Sequence, residues 1–352
     1  VGDVVIGGDA PVSVQSMTTT LTDDPEATLA QISQLAALGC EIIRCAVPTR
    51  SAIDGLRRIA ADSPIPVIAD IHFDHRLALA ALEAGADGVR VNPGNMRDRE
   101  GLRRVYRAAR DAGAKVRIGV NSGSIRPREG LEVKAGGTAD LAELMVAEAL
   151  DYCREAEAES LGNIVLSLKA SDVPTTIAAY RLAAGRCDYP FHVGVTAAGP
   201  PDVSLVKSAV GIGTLLAEGI GDTIRVSMTG PPQEEVRAGR AILEALELRE
   251  PLGVEIISCP TCARCEIDLA ALVEEVRERL AGMPGGLKVA VMGCVVNGPG
   301  EAAESDVGVA GGRDFGYVFV KGRKVRKAPA AQLADALVAE IEKLTASEGE
   351  AS

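Results

Sequence analysis

Residues 66–94 read "PVIADIHFDHRLALAALEAGADGVRVNPG". "PVIADI" (66–71) is an apolar run of strand length. "HRLALAALEAGA" is rich in Ala and Leu in an amphipathic pattern, which favours helix. "GVRVNPG" (88–94) is strand-like again. Strand, helix and strand within about thirty residues make one βαβ unit.

The same alternation extends in both directions. "VSVQSM" (12–17) and "EIIRCAV" (41–47) come before, with "ATLAQISQLAALG" between them. "KVRIGVN" (115–121), "NIVLSLKA" (163–170), "FHVGVTAAG" (191–199) and "DTIRVSM" (222–228) come after. Eight strands, each followed by a helix, within about 250 residues predict an α/β fold, a (β/α)8 TIM-like barrel. A doubly wound open sheet is the competing arrangement, but eight units favour closure. The polar, Gly-rich stretch 121–140 lies at a strand's C-terminal end and is expected to be an active-site loop.

The pattern changes near "LELREPLGVE" (246–255). Beyond it come a strand into "SCPTC", a helix ("IDLAALVEEVRERLAG"), a strand ending at Cys294 and a Gly-rich segment. A hairpin ("GYVFVKGRKVRK") and a last amphipathic helix follow. The expected organisation is a barrel over 1–248, a small α+β domain over 249–345 and a disordered tail over 346–352.

Composition narrows the function. The chain has 352 residues, 47% of them hydrophobic, with no Trp, four Phe and five Tyr, so the core must be mainly aliphatic. A net charge of −12 argues against binding nucleic acid or an anionic membrane. No apolar run reaches transmembrane length and no export signal opens the sequence, so a cytoplasmic location is expected. Eight Cys occur in a chain too large to need disulfide staples. Cys40, Cys45, Cys153 and Cys187 are scattered, whereas Cys259, Cys262, Cys265 and Cys294 gather in the last third.

Barrel chemistry sits where strands end at their C-terminal face. Arg44 lies in strand two, Arg90 with Asn92 in strand four and Arg117 with Asn121 in strand five. Strand six carries Ser167 and Lys169, and strand eight Arg225 and Ser227. Residues two or four apart on a strand point the same way. Any one of these cations could instead pair with a helix carboxylate. Five recurrences at matching places point to a shared mouth that grips a small polyanion such as a diphosphate. His72 ends strand three near Asp70 and is a candidate mouth residue. His75 is expected to open the next helix, and His192 to be structural and away from the mouth.

"SCPTCARCE" sets Cys259, Cys262 and Cys265 at C-x2-C-x2-C spacing, a pattern that converges thiolates on a metal. Spacing alone does not choose between a four-thiolate zinc and an iron–sulfur cluster. Zinc would take four thiols and leave Glu301 and the rigid "NGPG" turn after Cys294 without a purpose. A cluster held by three thiolates and a carboxylate uses both, and the displaceable carboxylate leaves one iron able to open to substrate. Two readings follow: a reductive enzyme, or a non-catalytic, zinc-stapled protein that binds anionic metabolites.

"QSMT", "VPT", "ADIHFD", "NPGN", "RIGVNSGS", "KASDV", "KSAVGIGTLLAEGIGDTIRVS", "SCPTC" and "GCVVNGPGEA" occur here in that order. In this the chain, from about residue 3 to 345, resembles the 4-hydroxy-3-methylbut-2-en-1-yl diphosphate synthase family of the methylerythritol phosphate route to isoprenoids. The resemblance implies a barrel followed by a domain similar to a module of sulfite and nitrite reductases. It implies a 4Fe–4S cluster on Cys259, Cys262, Cys294 and Glu301, with Cys265 a non-ligand. It implies that Arg44, Arg90, Arg117, Asn121, Lys169 and Ser227 hold the substrate, with Lys169 and Glu301 taking part in catalysis. The implied reaction is two-electron ring opening and dehydration of 2-C-methyl-D-erythritol 2,4-cyclodiphosphate to 4-hydroxy-3-methylbut-2-enyl diphosphate. Ferredoxin or flavodoxin would supply electrons. The implied assembly is a head-to-tail homodimer in which one subunit's cluster domain covers its partner's barrel.

The chain departs from the family pattern at Ala197, in "TAAG", where "TEAG" and its glutamate are expected. "PPDVSLVKS" differs from the usual Gly-rich link, and Thr19 replaces the common Asn. An empty acid–base position leaves three explanations: a substitute acid, a slowed variant, or a paralogue acting on another diphosphate.

Overall fold

The computed structural model describes residues 1–96, 98–125, 137–196, 199–294, 300 and 305–349, the last three as backbone only. The chain divides into two compact units, Val1–Arg249 and Glu250–Ser352.

In the first unit β1 (Ser13–Met17), β2 (Ile42–Ala46), β3 (Val67–Ile71), β4 (Gly88–Val91), β5 (Lys115–Asn121), β6 (Ile164–Lys169), β7 (His192–Val193) and β8 (Thr223–Ile224) alternate with eight helices. These are α1 (Pro25–Ala37), α2 (Ala52–Asp62), α3 (His75–Glu83), α4 (Arg99–Asp111), α5 (Thr138–Ala158), α6 (Val173–Ala184), α7 (Pro201–Ala217) and α8 (Pro232–Ala245). The sheet order is β6-β5-β4-β3-β2-β1-β8-β7, with parallel neighbours throughout. Leu166 of β6 bridges to Phe191 beside β7, and its N–H donates to Pro190 O at 2.8 Å. The sheet therefore returns on itself as the expected (β/α)8 barrel.

Strand alternation explains how this barrel is layered inside. Ile42 and Arg44 share one face of β2, and Ile68 and Asp70 one face of β3. Ile42, Ile68 and Val165 form an apolar floor with Val1 and Ile6 of the N-terminal segment packed on it. The next inward positions carry charge. Outward residues such as Val67, Ala69, Val89, Val116 and Ile118 join the main aliphatic core beneath the helices. Tyr106, Tyr152, Tyr180 and Phe191 are the aromatic exceptions, with Tyr106 and Tyr180 fully buried. Asp24, Asp74, Asp98 and Asp172 cap helix N-termini by accepting backbone N–H groups, each worth about 1 kcal/mol.

The strand beginnings carry a recurring clamp. Glu41, Asp87 and Asp222 accept the N–H of Val14, Val67 and Phe191 at 3.0, 2.8 and 2.6 Å. The clamp reappears in the second unit, where Asp306 accepts the N–H of Lys288 at 2.8 Å.

β4 stops at Val91 rather than at Gly94, and two further strands are much shorter than their sequence suggests. β7 and β8 keep two residues each instead of the runs 191–199 and 222–228. Regular pairing stops at Gly194, where any Cβ would lie 2.5 Å from Arg225 O and 2.7 Å from Lys169 Nζ. Single bonds, Arg225 N–H to Val193 O and Thr196 N–H to Ala170 O, carry the chain on toward the mouth. Most of the expected active-site loop, residues 126–136, lies outside the described residues.

The second unit holds β9 (Glu255–Ser258), α9 (Leu269–Arg279), β10 (Lys288–Met292), β11 (Val307–Gly311), β12 (Phe315–Val320), β13 (Arg323–Pro329) and α10 (Leu333–Gly349). Its sheet runs β13-β12-β11-β10-β9. The β9, β10 and β11 strands are parallel, and the expected hairpin β12–β13 is antiparallel. Lys321 and Gly322 turn that hairpin with positive φ of 46° and 74°, the twist that matches the flanking strands. One sheet face (Val289, Val291, Val307, Val309, Val318) packs with Leu272, Val276, Leu337 and Ile341 of the two helices. The other carries a small apolar cluster of Ala290, Met292, Ala310 and Phe319, with Ile257, Cys259 and Tyr317 packed on it.

The last helix runs to Gly349, past the expected end of order at 345. The Thr345 hydroxyl donates to Ile341 O at 3.1 Å, and the Ala and Glu that follow favour continued helix. Among the described residues no helix is long and apolar enough to cross a membrane.

Candidate active site

Above the apolar floor, Arg44, Arg90, Arg117 and Lys169 are all buried inside the barrel, each from a different strand. Strand register sets Arg90 beside Arg117, and Asn121 beside Lys169. Asp70 is the buried carboxylate among them, 3.4 Å from Arg90 Nη1 and 3.8 Å from Arg44 Nε. His72 closes on the same carboxylate at 3.3 Å. Across the barrel Arg117 Nη1 donates to Gln15 Oε1 at 2.5 Å, while Arg117 Nε has no partner among the described residues. Arg44 directs Nε and Nη2 at the sulfur of Met17, at 3.3 and 3.1 Å.

Four buried cations around one carboxylate leave positive charge unmatched, and titration follows from this. Burial, with Arg225 and Arg90 nearby, lowers Arg44 to about 10 despite Asp70. Burial, then Arg44 and Arg90, pushes Arg117 well below its usual value. Burial, then Arg117 and Arg44, does the same to Lys169. Burial alone would raise Asp70, but Arg44, His72, Arg90 and Arg117 outweigh it and hold the carboxyl below its normal range. Gly119 and Gly194 give the cations room: a Cβ on Gly119 would sit 3.0 Å from Arg90 Nε. Such a cradle suits a compact polyanion, whose arrival supplies the missing negative charge.

The remaining predicted residues divide. Asn121 ends β5, and Asn92 is buried with its amide nitrogen donating to Ser124 at 3.3 Å. Ser227 is half-buried beyond β8. Arg225 is not an open cation: its guanidinium forks onto Glu235 of α8 at 3.1–3.2 Å, the helix pairing weighed against a mouth role. His75 opens α3 as expected. His192 is not remote, since its Nε2 lies 3.1 Å from Lys169 Nζ. Burial and the Lys169 charge push it well below its ordinary value, so it stays neutral. The Gln15 contact was missed, although a Gln within the buried run "VSVQSM" was its signal. Ala197 lies outside the described residues.

In the second unit Cys259 directly follows β9, and Cys294 comes two residues after β10, its parallel neighbour. The Gly293 N–H donates to Cys259 Sγ at 3.3 Å. Cys262 is exposed. Cys265 stays close to the other thiols, its sulfur packed against Gly293 and its thiol directed at Ile267 O at 3.3 Å. Glu301 lies outside the described residues, and among those described no three His, Cys, Asp or Glu converge tightly enough to hold a metal ion. The described residues include all eight cysteines and contain no disulfide. Of the scattered thiols, burial pushes Cys40 up to about 12 and Cys45 up to about 11, which leaves them inert.

A closed barrel with cations layered beneath its mouth, followed by a sheet unit with cysteines at its strand ends, defines a two-unit TIM-barrel enzyme. The chain belongs to the GcpE family: the GcpE TIM-barrel domain matches residues 1–240 and the GcpE protein C-terminal domain residues 255–343. A relative from Geobacter sulfurreducens is 57% identical over 346 residues, spanning 98% of this chain and 97% of that protein. One from Salinispora arenicola is 52% identical, spanning 98% of this chain and 87% of that protein. Both are named 4-hydroxy-3-methylbut-2-en-1-yl diphosphate synthase (flavodoxin), which bears out the resemblance read from the motifs. Among solved structures, a dihydropteroate synthase from Coxiella burnetii in complex with pteroic acid superposes with a TM-score of 0.50 at 12% identity. It covers 69% of this chain and 96% of its own, a likeness of fold alone.

Proposed function

We propose that this protein converts 2-C-methyl-D-erythritol 2,4-cyclodiphosphate to 4-hydroxy-3-methylbut-2-enyl diphosphate. Two electrons and two protons enter, one ring carbon–oxygen bond breaks and one water leaves. The observation that carries this reading is the layer of four buried cations around a single carboxylate.

Arg44, Arg90 and Arg117 neutralise the diphosphate, with guanidinium groups suited to forked contacts with its oxygens. Asn121 and Ser227 contribute neutral hydrogen bonds at the rim. Lys169 has a second part. Burial keeps its amine easily deprotonated, and a bound diphosphate restores its affinity for a proton. It thus takes up a proton as substrate binds and holds it in the barrel, backed by neutral His192 at 3.1 Å. With Ala197 where the resemblance expects a glutamate, Lys169 is, among the described residues, a buried proton-bearing group at this site.

A 4Fe–4S cluster fits the donor set of the second unit. Cys259, Cys262, Cys294 and Glu301 would hold it. The N–H···S bond from Gly293 to Cys259 is of the kind that tunes a thiolate ligand. When bound, the cluster supplies single electrons and a Lewis-acidic iron. The donor would be flavodoxin, which appears in the relatives' names, or ferredoxin. Along α7 the exposed Val203, Val206 and Val210 form an apolar stripe suited to a homodimer.

Anaerobically purified protein should be brown, contain iron and sulfide, and turn over the cyclic diphosphate with a low-potential donor. Colourless protein with one zinc and no turnover refutes the proposal.

A further inference from the structure

The hairpin β12–β13 is the strongest cationic feature outside the barrel. Arg323, Lys324, Arg326 and Lys327 are all exposed, in a protein of net charge −12. Among the described residues none of the four forms an ion pair, although most other exposed arginines do. Lysines on an edge strand commonly serve only to deter unwanted pairing. Here the cations are seated. Lys324 Nζ lies 3.4 Å over the Tyr317 ring and Lys327 Nζ 3.5 Å over the Phe315 ring, and the two rings meet edge to face at 5.6 Å. Such contacts fix the ammonium groups while leaving their charge unneutralised.

The position of this charge is informative. Register sets Lys327 opposite Tyr317 and Lys324 opposite Phe319. Tyr317 and Phe319 belong to the sheet face that the helices leave uncovered, and both pack in the cluster that includes Cys259. The fixed cations therefore share the helix-free face of the sheet with a thiol assigned above to the redox centre, which lies at the opposite, β9 edge of that face.

We infer that the β12–β13 edge is the docking surface for an acidic protein electron carrier of the flavodoxin kind. The inference rests on the proposed function and adds where the carrier binds. Complementary charge steers such an encounter and sets its salt dependence.

The test uses holoenzyme with Lys324→Glu/Lys327→Glu, and with the milder Lys324→Gln/Lys327→Gln as a second variant. Binding of oxidised flavodoxin is measured by calorimetry at low and high salt. Turnover is measured with reduced flavodoxin and, separately, with reduced methyl viologen. Flavodoxin affinity should fall about tenfold or more with charge reversal, lose most of its salt dependence, and fall less with the glutamines. Viologen-driven turnover should stay within about twofold of the parent, because a small donor needs no docking surface. Unchanged flavodoxin affinity in the charge-reversed protein overturns the inference and leaves the lysines as edge protection. Absence of turnover with either donor in the parent refutes the proposed function instead, and the binding measurement still decides the docking site.

Discussion

Replacing Asp70 by Asn tests whether the barrel cations form an anion site or a self-sufficient structural network. The change removes one charge and almost no volume. Asp70 lies 3.4 Å from Arg90 and 3.8 Å from Arg44, with His72 at 3.3 Å. At an effective dielectric of about 20 each arginine contact is worth about 4–5 kcal/mol before desolvation. Removing one partner of a buried pair leaves uncompensated charge and costs about 3–5 kcal/mol net. For a unit the size of this barrel that lowers the midpoint by roughly 6–20 °C. Added inorganic pyrophosphate should then restore more stability to Asp70→Asn than to the parent, since it supplies the charge the carboxylate gave. Thermal unfolding of both proteins over a pyrophosphate titration reads this directly. An equal or smaller pyrophosphate shift in the variant would refute the argument that the cations are held ready for an anion.

Lys169→Met should lower turnover by about a hundredfold or more and weaken pyrophosphate binding. Pyrophosphate binding to the parent should take up protons, seen as a buffer-dependent binding enthalpy that Lys169→Met abolishes. The anion-free barrel should gain stability as pH rises. Lys169 and His192 have depressed folded values, so the unfolded chain binds more protons, up to about 10.4 for Lys169 and about 6.5 for His192. Lys169 alone contributes up to about 1.4 kcal/mol per pH unit, measured by melting from about pH 6 to 9, and a flat profile contradicts it. Gly194→Ala, whose Cβ would meet Arg225 O and Lys169 Nζ, should cost about 1–3 kcal/mol and weaken pyrophosphate binding. Cys259→Ala, Cys262→Ala and Cys294→Ala should each lose iron content, whereas Cys265→Ala should retain it.

The barrel was legible because its strands are buried on both faces and so read as repeated apolar runs between helical stretches. Arg44, Arg90, Arg117 and Lys169 were legible because a cation inside such a run breaks the pattern. Arg225 broke it in the same way, yet its partner Glu235 lies ten residues on in a helix, and only packing brings the two together. The His192–Lys169 contact was hidden for a related reason. It joins neighbouring strands whose relative height follows from closure, and no spacing within either run encodes that. The ends of β7 and β8 were misjudged because β-propensity continues through "GVTAAG" and "RVSM", whereas pairing stops where Lys169 crowds Gly194. At the thiols, spacing gathered four cysteines, and Cys265 stays beside the others, packed against Gly293 with its thiol directed at Ile267 O.

The carboxylate clamps at the strand beginnings have an evolutionary consequence. Glu41, Asp87 and Asp222 tie three pairs of neighbouring strands, β1–β2, β3–β4 and β7–β8, at the end opposite the mouth, using groups that touch nothing in the cation layer. Robustness and reactivity thus occupy opposite poles of the barrel. Drift among the loops at the rim can be tolerated by a scaffold fastened at its base, and new substrate preferences can be explored without first strengthening the frame.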